Sequence, residues 1–114
     1  TNICRPGWGF AWYMLCYFVP ETHVGHTKHA LFDAGAGRIG DYDCCAWQCL
    51  GQGQFRPLEG SDPFLGKAGE IEMVDEYKVE LVCADELIRD ALTALKRAHP
   101  YEEPAYEVYR MAEL

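Results

Sequence analysis

Two consecutive segments in the second half of the chain constrain its fold more than any other feature. From Glu70 to Cys83 the residues alternate, with Tyr77, Val79, Leu81 and Cys83 on one side and Lys78 and Glu80 on the other. That period of two is the mark of a strand half-buried in an antiparallel sheet. Directly after it, Ile88, Ala91, Leu92, Leu95 and Ala98 recur at helical spacing behind Asp85 as a cap. Lys96 and Arg97 stand in the last turn, where cations suit the helix dipole, and Pro100 stops the helix. A one-faced strand followed by a one-striped helix buries both only in a two-layer packing.

The first half repeats the pattern. Trp12–Val19 is aromatic-rich and stopped by Pro20, a strand buried on at least one face. Thr22 can cap a helix over 22–34, whose Val24, Thr27, Leu31 and Ala34 form the stripe and whose end is signalled by Gly35-Ala-Gly37. Tyr42–Leu50 is expected as a second strand, with Gln54–Leu58 continuing or pairing beyond Gly51-Gln-Gly53, and Ser61-Asp-Pro63 with Gly66 as a loop. A last strand is expected from Ala105 to about Met111. The order is βαββαβ, which predicts an α+β, ferredoxin-like domain with two helices on one face of an antiparallel sheet. The other face is left for burial by association, which suits the surplus of Tyr13, Tyr17, Trp47, Tyr106 and Tyr109.

At 114 residues a single domain is the expectation, and 49% apolar with 25% charged residues is ordinary globular composition. The formal net charge of −8, with no basic stripe, disfavours nucleic acid as a partner. Cys16 and Cys83 lie in apolar runs and Cys44, Cys45 and Cys49 are bunched, a placement that suits reduced thiols in a cytoplasmic protein better than a disulfide framework. Trp8–Val19 is shorter than the roughly 20 residues a membrane span takes, so no membrane partner is expected. Residues 1–11 read as an N-terminal extension, non-native or disordered, and 12–114 as the domain.

Four segments carry a resemblance over about Trp12 to Leu114: Phe18-Val-Pro-Glu21, Gly35-Ala-Gly-Arg-Ile-Gly40, Gly51-Gln-Gly-Gln-Phe-Arg-Pro57 and His99-Pro-Tyr-Glu-Glu-Pro-Ala-Tyr106. Together they resemble the domain inserted in bacterial Nif-three-like dinuclear-metal proteins of the YqfO type. The resemblance implies a PII/CutA-like fold and homo-oligomers, trimers in those families, or a dimer. It carries over neither the metal centre nor any hydrolase activity, which belong to a separate domain of the larger proteins.

Two constellations stand out as candidate sites. In His99-Pro-Tyr-Glu-Glu-Pro104 two prolines bracket a pair of carboxylates directly after an imidazole, so His99 with Glu102 or Glu103 could take a divalent ion such as zinc, nickel or copper. The same motif also reads as a rigid helix-to-strand joint. In Gly51-Gln-Gly-Gln-Phe-Arg56, residues Gly51, Gly53, Gln54 and Arg56 could present N–H groups and a guanidinium to an anion, or simply form a tight bend. In PII proteins a loop at the equivalent hairpin contacts partners. Cys45 and Cys49, taken on one strand, would lie about 13 Å apart, too far to chelate one ion. His23, His26 and His29 are spaced as a surface row on the first helix. No nucleophile–base pair is legible, so the expected function is an oligomeric regulatory or interaction module, with another protein as a candidate partner and with metal binding and a small hydrolase as alternatives.

Overall fold

The computed structural model describes residues 11–112. Residues 1–10 lie outside them, and with them nearly all of the expected extension. Ala11 is already part of the fold: it is buried, and its carbonyl accepts from the Asp85 N–H at 2.8 Å.

The expected order holds: β1 (Trp12–Pro20), α1 (Val24–Asp33), β2 (Trp47–Phe55), β3 (Glu72–Ala84), α2 (Ile88–Ala98) and β4 (Tyr106–Arg110). Short 3-10 turns, Glu21–His23 and Asp85–Leu87, lead into the two helices. The four strands form one antiparallel sheet in the order β2-β3-β1-β4, the ferredoxin-like arrangement. Each helix starts without a side-chain cap, contrary to the expected roles of Thr22 and Asp85. The 3-10 turns supply the start instead, and Thr22 hydrogen-bonds the His23 ring at 2.8 Å.

Alternation along the strands decides the core. Leu15, Tyr17 and Val19 of β1 pair with Leu81, Val79 and Tyr77 of β3, on the face the helices cover. Leu31 of α1 and Ile88, Ala91 and Leu95 of α2 close over them. The one polar chain within this layer is satisfied: Tyr17 hydroxyl donates to Thr27 Oγ1 at 2.9 Å, and Thr27 in turn donates to the His23 carbonyl at 2.9 Å. Gly35 ends α1 at φ +97°, where a Cβ would come within 2.8 Å of Leu87.

β2 departs from the expected Tyr42–Leu50. It starts five residues later and runs through Gly51 and Gly53. Ile39 and Tyr42 pair across a small turn at Gly40 (φ +57°), and Cys44 takes φ +56°, so the chain between Gly37 and Ala46 is still bending where a strand was expected. The glycines do not break β2 because β3 offers it partners from Glu80 down to Glu72. β1 ends against Glu76, so below that level β2 and β3 run on as a two-stranded ribbon.

Candidate functional site

The joint between α2 and β4 is where the side chains converge. His99 is 6% exposed, and both its ring nitrogens are engaged. Nε2 lies 2.6 Å from the Phe18 carbonyl, which can only accept, so Nε2 carries the proton. Nδ1 then accepts from the Tyr101 N–H at 3.1 Å. This is one defined neutral tautomer. Burial holds the His99 pKa below its ordinary value, the Phe18 carbonyl works against that, and nearby His23 lowers it further.

Tyr101 extends the network from the joint to the ribbon. Its hydroxyl donates to Glu76 at 2.9 Å, and its ring packs near Phe55, Phe64 and His99. Burial and the Glu76 carboxylate together push its phenol pKa upward. Glu102 accepts from the Asp62 N–H at 3.0 Å, which ties the 56–71 loop to the joint. A depression of about 530 Å³ opens between Pro63 and Phe64 on one side and Pro100 to Glu102 on the other.

The structure does not bring His99, Glu102 and Glu103 together as a ligand set. Among the described residues no three histidine, cysteine or carboxylate groups gather as a ligand set, and His99 would have to surrender a hydrogen bond to reach any ion. Glu102 faces the loop, and Glu103 is exposed and forms no part of the network. The hairpin residues are placed within and just after a strand. Gly51, Gly53 and Gln54 lie inside β2, paired with Glu76, Val74 and Met73, so they do not form a nest of free N–H groups, and Arg56 follows the strand on the exterior. Gly53 has a different use. The Glu76 carboxylate lies so close over it that a Cβ there would collide.

Cys44 and Cys45 precede β2 and Cys49 lies within it. His26 and His29 are exposed as expected, whereas His23 is half-buried with its ring 5.5 Å from Phe64. Tyr101, Glu76, Phe64 and Asp62 were not legible as site residues. The glycine at 53, diagonal to Glu76 across the β2–β3 ladder, is the signal that could have found Glu76.

The sheet has a second, open face. By register it carries Met14, Cys16 and Phe18 of β1, Trp47 and Cys49 of β2, Lys78 and Glu80 of β3, and Tyr109 of β4. Trp47 is 57% exposed and Tyr109 55%. A groove of about 470 Å³ runs across it, floored by Gly51 and Gly53 beside Phe18 and Trp47.

No family model matches the chain. It is 44% identical over 100 residues to the GTP cyclohydrolase 1 type 2 homolog of Halalkalibacterium halodurans and 38% identical over 109 residues to that of Bacillus subtilis. These alignments take in 88% and 96% of this chain. A solved Bacillus cereus protein related to NIF3 superposes with a TM-score of 0.82 at 37% identity, over 98% of this chain and 29% of that one. The chain matches the CutA-like domain of NIF3-related proteins. The CutA side of that statement rests on shape: CutA from Xylella fastidiosa superposes with a TM-score of 0.66 at 17% identity, over 90% of this chain and 85% of its own. The chain spans only 27% and 29% of the length of the two curated relatives, so their name describes much longer proteins.

Proposed function

We propose that this CutA-like domain acts as an oligomeric interaction module of regulatory type and is not an enzyme on its own. The observation that carries the reading is the open sheet face. Both helices lie on the opposite side, and Trp47, Tyr109, Phe18 and Met14 are left without a covering layer from the described residues. Large aromatic side chains on a flat, unlayered surface are what association buries. The joint supports a binding role in the same direction, since its single imidazole is held as a structural link with both nitrogens committed. The five cysteines among the described residues are free thiols, which suits a reducing compartment such as the cytoplasm.

Size-exclusion chromatography with light scattering tests this reading. A mass of two or more chains at tens of micromolar is expected, and Trp47→Glu is expected to lower it. A monodisperse monomer would overturn it.

A further inference from the structure

Away from the open face, the depression beside the α2–β4 joint is lined by Asp62, Pro63, Phe64, Pro100, Tyr101 and Glu102. Its aromatic wall is already assembled. Phe64 packs near the Tyr101 ring at 6.2 Å and against the edge of the His23 ring at 5.5 Å, yet it is 47% exposed. Tyr101 is held in turn by Phe55 at 5.9 Å and His99 at 5.0 Å, and its hydroxyl donates to Glu76, which enriches the ring in electrons. The loop that carries Phe64 is pinned by its own bonds. The Gly69 N–H donates to the Pro57 carbonyl at 2.8 Å, and the Ser61 hydroxyl to the Leu58 carbonyl at 2.7 Å. A fixed, half-exposed aromatic ring attracts cations through its quadrupole.

The charges at the depression have one sign. Asp62 and Glu102 both line it, and no lysine or arginine does. The Asp62 N–H binds Oε1 of Glu102 at 3.0 Å, which fixes that carboxylate at the rim through one oxygen and leaves the other as an acceptor. Among the described residues neither carboxylate is paired with a cation.

We infer that this aromatic, acid-lined depression is a docking site for an arginine side chain carried by a basic segment of another protein. It is a different surface from the open sheet face, and it stands apart from the oligomeric reading. Charge complementarity selects the occupant, since a chain of net charge −8 draws basic segments toward it. A guanidinium fits the site better than an ammonium. Its plane stacks on an aromatic face while its edge donates to a carboxylate, whereas an ammonium is a compact and strongly hydrated point charge. Rings and carboxylate are in place beforehand, so binding has little left to order.

Nuclear magnetic resonance titration of the isotope-labelled protein with the peptide acetyl-Gly-Gly-Arg-Gly-Gly-amide tests the inference. Saturable shifts are expected at the amides of Asp62, Phe64, Tyr101 and Glu102, with a dissociation constant of about 1 mM for this single side chain. Replacing the arginine by lysine is expected to weaken binding at least about threefold, and replacing it by citrulline, its neutral isostere, at least about tenfold. Glu102→Gln keeps an oxygen to accept from the Asp62 N–H while removing the charge, and Phe64→Ala removes an exposed ring. Both variants are expected to keep the fold by circular dichroism and to bind the arginine peptide about fivefold more weakly. Shifts scattered over the acidic surface, an affinity that neither variant lowers, or equal binding of the lysine or citrulline peptide overturns the inference. Tighter binding of free arginine than of the peptide overturns the assignment to a protein partner. A monomer that binds the peptide sinks only the oligomeric reading, and an oligomer that does not bind it sinks only this one.

Discussion

The Tyr101 hydroxyl donates to the Glu76 carboxylate at 2.9 Å, joining the segment after α2 to the level of β3 at which β1 ends and the β2–β3 ribbon begins. The bond depends on a third position, because the carboxylate lies directly over Gly53. Sequence, packing and the reach of the ribbon meet in that contact.

Gly51 and Gly53 are therefore expected to respond oppositely to the same substitution. Nothing lies within 4 Å of a Cβ at Gly51, so Gly51→Ala removes only backbone freedom and is expected to be neutral or stabilising by about 0.5 kcal/mol. Gly53→Ala forces Glu76 aside and is expected to destabilise by about 1 kcal/mol through the lost charge-assisted bond. Tyr101→Phe should cost a similar amount. The double variant should cost less than the sum, because both act on one bond. Urea denaturation of the wild type and these four variants measures this.

His99→Ala leaves the Phe18 carbonyl and the Tyr101 N–H without their partner in a buried site. Each unsatisfied group costs roughly 1–3 kcal/mol, so a loss of about 3 kcal/mol is expected as a lower urea midpoint at unchanged slope. A loss under about 1 kcal/mol would mean that water replaces the ring at no cost and that the joint is not a link.

The same residue sets a pH dependence. Its folded pKa lies below the ordinary value near 6.5, chiefly through burial, so the unfolded chain binds the proton more readily. The His99 contribution is thus complete above about pH 6.5 and is lost as the pH falls toward the folded pKa. Thermal midpoints of the wild type and His99→Gln, taken from pH 7.5 to 5, should converge as the pH falls. The comparison is needed because protonating carboxylates on an acidic chain also relieves repulsion over part of that range.

The layering was legible because it depends on periods. The alternation of Tyr77, Val79 and Leu81 and the stripe of Ile88, Ala91 and Leu95 each specify a face regardless of what lies opposite. The extent of β2 was not legible. Gly51 and Gly53 are strand breakers by local preference, and only the pairing with β3, more than twenty residues away in sequence, makes them strand. His99 illustrates the same limit at the level of chemistry. Its place directly before Pro100 marks a rigid joint, but its partners are a carbonyl 81 positions earlier and an N–H two positions later. A backbone acceptor of that kind leaves no residue type to read, so an imidazole beside two glutamates reads equally as a metal ligand set.

Thiol reactivity ties the buried and open sides of the sheet together. Cys83 lies in the core, where burial pushes its pKa up to about 11. Cys16 points to the open face yet is only 2% exposed, and desolvation again raises its pKa, with Lys78 opposing and Glu80 and Glu107 reinforcing. Both should resist maleimide in the native protein and label only in denaturant, since a thiolate that is scarce and covered reacts at least about 100-fold more slowly. Cys49 is exposed on β2 and should label fastest of the described cysteines at low concentration. Cys44, also exposed, should lag behind it because desolvation and the adjacent Asp43 raise its pKa. If association buries the open face, Cys49 labelling, followed by peptide mapping, should slow as concentration rises while Cys44, outside β2, keeps its rate. Equal slowing of both would point to burial elsewhere than the open face.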